Sequence, residues 1–157
     1  MTAIQVRPAT LADLPIVASL FDSYRQFYKQ LPARETAATF IRARMENGES
    51  TILLAEDTTP TATASGPLGF CQLYPSFCSV EMAPIFVLYD LFVTPAARGA
   101  GAGKALLLAA HDHAATQGAK RLDLTTAKTN HTAQSLYESL GWVRDEVFYA
   151  YNLRVNR

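Results

Sequence analysis

Val87-Leu88-Tyr89-Asp90-Leu91-Phe92-Val93, then Thr94-Pro95-Ala96-Ala97, then Arg98-Gly99-Ala100-Gly101-Ala102-Gly103-Lys104 running into Ala105-Leu106-Leu107-Leu108, is the stretch on which the fold turns. It reads as an apolar strand, a proline-marked turn, a glycine-rich loop and the first turn of a helix. Gly99, Gly101 and Gly103 let the backbone approach a bulky ligand without Cβ clashes. The helix that follows points its unpaired N–H groups and the positive end of its dipole back at the loop. That combination suits an anion such as a diphosphate, with Arg98 and Lys104 flanking it. Two common nucleotide loops do not fit. The sixth position from Gly99 is Lys104, and from Gly101 it is Leu106, so the dinucleotide glycine pattern fails. The nucleoside-triphosphate loop fails because Arg98 stands five before Gly103 and Ala105 follows Lys104.

Outward from this stretch, the chain punctuates regularly. Ile4 to Arg7 reads as a strand. A helix then starts at Thr10 or Asp13, with Leu14, Val17, Ala18 and Phe21 at helical spacing, and continues through Tyr24, Phe27 and Tyr28 to about Leu31-Pro32. Ala33 to Gly48 reads as a second helix and Ser50 to Glu56 as a strand. Asp57 to Gly66 is a loose connection, Leu68 to Tyr74 a strand, Pro75 to Pro84 irregular, and Ile85 to Val93 a long buried strand. Strict alternation along it puts Val87, Tyr89, Leu91 and Val93 on one face and Leu88, Asp90 and Phe92 on the other. The helix after the glycine loop runs to about Gln117-Gly118. Arg121 to Thr126 follows as a strand, making a parallel βαβ unit. Asn130 opens a last helix with Ala133, Leu136, Tyr137 and Leu140 on one face and Gly141 closing it. Trp142-Val143 and Glu146 to Leu153 read as strands. No repeat or linker interrupts residues 1–157, so one α/β domain is expected.

Composition narrows the partners. At 157 residues the chain is long enough to bury a sizeable core. Its formal net charge of zero supplies no general attraction for nucleic acid or an anionic membrane. The amino terminus lacks the apolar core of a signal peptide, and no apolar run approaches a membrane span, so a soluble cytoplasmic protein is the expectation. Cys71 and Cys78 read as small packing residues, and the three histidines, His111, His113 and His131, form no ligand set, so no metal is expected.

The pattern Arg98-x-x-Gly101-x-Gly103, with Asp90 to Gly99 before it, resembles the pyrophosphate loop and core strand of the GNAT superfamily of acyl-CoA-dependent N-acyltransferases. Asn130-x-x-Ala133-x-x-Leu136-Tyr137-x-x-Leu140-Gly141-Trp142 is similar to that superfamily's other recognisable motif. The resemblance implies the GNAT fold, a mixed central sheet of about six to seven strands flanked by about four helices, with splayed central parallel strands. It implies acetyl-CoA as co-substrate and transfer of its acetyl group to a primary amine of a small molecule or peptide within a ternary complex. A non-catalytic acyl-CoA-binding or sensor module on the same fold is the rival.

Roles follow from the resemblance residue by residue. Leu91, Phe92 and Val93 lie along the pantetheine arm. Arg98, Gly99, Ala100, Gly101, Ala102, Gly103 and Lys104 hold the pyrophosphate. Asn130 lies near the pantetheine, although capping its helix would explain it equally. Tyr137 matches the tyrosine that protonates the departing thiolate, a suitable acid for that group; a core tyrosine is the alternative. Where many members carry a glutamate base, this chain has Tyr89. That leaves Asp90 as the acid within the strand, either a base or a structural acceptor for backbone amides. Tyr24, Tyr28, Tyr74 and Tyr89 are candidates to surround a cationic acceptor. The aromatic segment Phe148-Tyr149-Ala150-Tyr151 is a candidate to pair with a second copy in a homodimer.

Overall fold

Four strands from the chain's first two-thirds and a short fifth beyond them are drawn into one sheet. A computed structural model describes residues 3–60 and 66–156. The connection expected at Asp57 to Gly66 therefore lies partly outside the described residues. The chain divides into two units, Met1–Thr125 and Thr126–Arg157.

In the first unit, β1 (Ile4–Pro8), β2 (Thr51–Asp57), β3 (Pro67–Cys78), β4 (Ala83–Val93) and β5 (Leu122–Asp123) lie side by side in chain order. The first three pairings are antiparallel and β4–β5 is parallel, so the sheet is mixed. One layer is built by α1 (Leu14–Phe27) and α2 (Arg34–Glu46). Leu14, Val17 and Leu20 of α1 and Ile41 of α2 close on Ile52, Leu54, Phe70 and Phe92 of the sheet. The long helix α3 (Ala102–Thr116) buries Leu106, Leu107, Ala110 and Ala114 and contacts β1 to β4. The start of α1 is fixed from β1. Arg7 makes two bonds of 2.8 Å to the Asp13 carboxylate, which also accepts from the Thr10 amide at 2.8 Å.

Four expectations change. The segment Pro75 to Pro84 is not irregular, since β3 runs on to Cys78 and pairs there with the start of β4. Pro75 is tolerated because the β2 ladder ends at Leu73, so its missing N–H is not needed on that side. The strand expected at Arg121 to Thr126 is reduced to Leu122–Asp123, paired with Phe86 and Val87. Beyond Val87, that flank of β4 has no strand partner among the described residues of this unit.

The third change lies in β4. Leu73 pairs with Leu88 but Gln72 pairs with Asp90, which leaves Tyr89 as an extra residue, a β-bulge. Strict alternation therefore breaks. Phe86 meets His113 of α3 edge to face, at 5.4 Å between ring centres, whereas Phe92 packs in the α1–α2 layer. Tyr89 shares the side of Asp90 and meets Tyr74 at 5.6 Å between ring centres.

The fourth concerns the second unit. It holds α4 (His131–Ser139), capped by the Asn130 side chain, which accepts from the Ala133 amide at 3.2 Å. Gly141 takes a φ of 92°, and the Trp142 amide bonds back to the Tyr137 carbonyl at 3.1 Å. The strands expected at Trp142-Val143 and Glu146 to Leu153 are not formed among the described residues. The Asp145 carboxylate instead accepts from the amides of Val147 and Phe148, at 2.8 and 3.2 Å, a local turn that competes with a ladder. The sheet thus has five strands rather than six or seven, with four α-helices among the described residues.

Candidate active site

The glycine loop bridges the end of β4 and the start of α3. Thr94 is followed by a short 3-10 turn at Pro95–Ala97, and Arg98 returns to extended backbone. Gly99 and Gly101 take φ values of 83° and 94°, the left-handed region in which a side chain is strained. A Cβ at Gly99 would meet nothing within 4 Å. The need for glycine there is conformational, and the space outside the loop is open. Gly101 is the N-cap of α3 and brings no capping side chain. The first amides of α3, from Ala102 to Lys104, are therefore left for an external acceptor. The residues fit a diphosphate: directed backbone donors, a helix dipole and two exposed cations, Arg98 and Lys104. Arg98 is already oriented. Its Nε donates to the Val93 carbonyl at 3.1 Å, and its guanidinium lies 5.6 Å from the Phe27 ring and 5.8 Å from Phe92.

Next to the end of β4 the structure gathers the aromatic residues singled out in the sequence. The Tyr24 hydroxyl of α1 donates to the Tyr89 carbonyl at 3.2 Å, and Tyr24 meets Tyr28 at 5.1 Å. Tyr74 and Tyr89 touch edge to face. Asp90 lies among them, only 3% exposed. Burial pushes its carboxyl above the ordinary carboxylate value, while the hydrogen bond from Gln72, and after it the Tyr24 hydroxyl nearby, favour the ionised form. Burial, then the Asp90 charge, pushes the Tyr74 hydroxyl up to about 12, and the same two causes raise Tyr24 further. These phenols therefore stay protonated and neutral, presenting their rings to a guest.

One member of this group was missed. Gln72 of β3 is fully buried, and its Nε2 donates to Asp90 Oδ2 at 2.6 Å. Its signal was slight, a single amide within the apolar run Phe70-Cys71-Gln72-Leu73. The remaining nominated residues are placed as follows. Leu91 and Val93 are half-buried on β4 and Phe92 is core. Ala100 is exposed and Ala102 is buried beneath the loop. Asn130 and Tyr137 belong to the second unit, where Tyr137 meets Trp142 at 6.0 Å. Cys71 is a packing residue, its thiol pushed up to about 12 by burial. Two open grooves, of about 350 and 320 Å³, lie around Ser50, Thr51 and His113, and none of the nominated residues lines them. Among the described residues no cluster of metal-ligating side chains is found, and no helix is long and apolar enough to cross a membrane.

Residues 16–142 match the model of the acetyltransferase (GNAT) family. The chain belongs to the GNAT acetyltransferase family. It is 45% identical over 152 residues to an uncharacterized N-acetyltransferase of Bacillus subtilis, YhfO, covering 97% of this chain and 98% of that one. A crystal structure of a probable acetyltransferase is 35% identical, with a TM-score of 0.86, over 98% of this chain and 99% of that chain. An aminoglycoside N-acetyltransferase solved in complex with CoA shares the fold, with a TM-score of 0.79 over 99% of this chain and 97% of that one, at 16% identity. This GNAT chain is accordingly an acyl-CoA-dependent acetyltransferase.

Proposed function

We propose that this GNAT protein moves the acetyl group of acetyl-CoA to a primary amine of a small molecule or peptide, by direct transfer in a ternary complex. The observation that carries the reading is the group Tyr24, Tyr74, Tyr89 and Asp90 gathered beside the end of β4, one turn from the glycine loop. Acetyl-CoA, when bound, supplies the acetyl group as an activated thioester. The amides of Ala102 to Lys104, with Arg98, hold its diphosphate, and the flank of β4 from Leu91 to Val93 takes the pantetheine arm.

The acceptor enters as an ammonium ion. The π faces of the tyrosines and the Asp90 carboxylate attract it. Asp90 then takes one ammonium proton, which leaves the nitrogen lone pair free to attack. A carboxyl whose affinity for protons is raised by burial is the better base for that step. The nitrogen attacks the thioester carbonyl carbon and the C–S bond breaks. Tyr137 protonates the departing thiolate and is reprotonated by the second proton the nitrogen sheds as the amide forms, while Asp90 passes its own proton to water. A homodimer belongs to the same reading. Phe148, Tyr149 and Tyr151, 79–93% exposed, support it as apolar surface available to a second copy.

The test is thiol release from acetyl-CoA against polyamines, aminoglycosides, arylamines, amino acids and lysine peptides. Release with one amine class, strongly reduced in Asp90→Asn, supports the reading. No release with any of them, while calorimetry shows acetyl-CoA binding, overturns the amine acceptor.

A further inference from the structure

A buried glutamine in the middle of an apolar strand is costly unless both ends of its amide are satisfied. Gln72 meets that condition in a directed way. Its Oε1 accepts from the Ser50 hydroxyl at 2.9 Å, and its Nε2 donates to Asp90 Oδ2 at 2.6 Å. The three residues come from the approach to β2, from β3 and from β4, and they cross the sheet as one chain of hydrogen bonds. Ser50 is half-buried and lines both open grooves at Thr51 and His113, so the chain runs from the surface to the carboxylate.

We propose that Gln72 is the positioning residue that holds Asp90 ionised and correctly turned, and that Ser50 anchors the far end of the Gln72 amide. The inference rests on the role of Asp90 proposed above. An ionised carboxylate can only accept, so the amide nitrogen must face it. The amide oxygen then faces Ser50, whose hydroxyl supplies the matching donor. Reversing the amide would oppose two acceptors at Asp90.

The surroundings leave this duty to few groups. The titratable neighbours facing this cluster are Tyr24 on α1, Tyr74 and Cys71 on β3, and Tyr89 on β4, with Tyr28 beside Tyr24 and Arg44 of α2 acting on Tyr74. The hydrogen bond that favours the charged Asp90 comes from Gln72, and the Tyr24 hydroxyl, which donates to the Tyr89 carbonyl, is a second neutral dipole beside it. Each is worth more inside the sheet than in water. With Gln72 lost, burial acts on Asp90 with one fewer opposing bond.

The experiment follows the Asp90 carboxyl directly, by carbon NMR titration of the full chain, its resonance assigned by its loss in Asp90→Asn. In Gln72→Met the titration midpoint rises by about one pH unit or more, the size expected for losing a hydrogen bond to a buried charge. The acid limb of kcat/KM moves up equally, so on that limb the variant is about tenfold slower, while acetyl-CoA affinity is unchanged. Ser50→Ala shifts the midpoint the same way and by less. An unchanged midpoint in a natively folded Gln72→Met overturns the inference. If that variant does not fold, an unchanged midpoint in Ser50→Ala does so. The NMR titration decides on Gln72 even if Asp90→Asn proves fully active, a result that would overturn the base and not the positioning.

Discussion

Gly69→Ala is the substitution whose effect the structure defines most closely. Gly69 lies opposite Val93 in the β3–β4 ladder and is buried. A Cβ there would stand 3.0 Å from Val93 Cα and closer still to the Phe92 carbonyl oxygen, against 3.4 Å or more for an ordinary contact. Both obstacles are backbone, so no side chain can rotate away. The end of β4 must retreat by several tenths of an ångström, up to about 1 Å at the carbonyl, and overpacking of this kind costs about 1–3 kcal/mol. The strained residues, Phe92 and Val93, lead directly into the glycine loop, and the Val93 carbonyl holds Arg98. A misplacement of about 1 Å at a reacting geometry can cost roughly 100-fold. Urea denaturation should show the stability loss, and thiol release should show kcat/KM reduced by about 10- to 100-fold. Parental stability together with parental kcat/KM would refute the argument that this close approach sets the loop.

Three further outcomes follow from other parts of the molecule. Tyr137→Phe lowers kcat by about 10-fold or more and leaves acetyl-CoA affinity in calorimetry unchanged, as for removal of a general acid. Gly101→Ala forces a side chain into φ 94° at the start of α3; it costs about 1–2 kcal/mol of stability by thermal melting and weakens acetyl-CoA binding. Asp13→Asn loses its bonds to Arg7 and the cap at Thr10, destabilising the fold by about 1–2 kcal/mol in urea at neutral pH. The Arg7 guanidinium holds the Asp13 carboxyl well below the ordinary value of 3.8, so its contribution is full above that pH and is lost as pH falls further. Parent and variant should therefore converge in strong acid.

The glycine loop was legible because its signal is composition. Gly99 and Gly101 mark positive φ, and a long apolar helix follows at once. The aromatic cluster was legible only in part. Tyr24 and Tyr28 announce themselves by helical spacing, and Tyr74 stands at a strand end. The side on which Tyr89 stands was not readable, since a bulge changes pairing by one residue and leaves the apolar pattern of β4 intact. Gln72 was missed because one amide in an apolar run has no periodicity; only the burial of Asp90 beside it gives it a purpose. The hairpin beyond Pro75 was missed because proline argues against a strand unless one knows that β2 has already ended. In the C-terminal segment, Val147, Tyr149 and Tyr151 do alternate, but alternation specifies a face and not a partner.

The bulge at Tyr89 also sets which changes of chain length this protein can accept. Before it, β4 sends Phe86 into the α3 layer; after it, Asp90 and Phe92 go into the α1–α2 layer. Deleting Tyr89 would make Leu88 and Asp90 neighbours opposite Leu73 and Gln72, restoring an unbroken ladder in which Phe86 and Leu88 keep the α3 side and Asp90 and Phe92 the α1–α2 side. Replacing Tyr89 by another residue changes the ring and keeps the count. At this position, then, loss of one residue takes away the bulge and the ring that meets Tyr74 while leaving both layers supplied, whereas loss of a paired residue elsewhere in β4 would shift its neighbours to the opposite side.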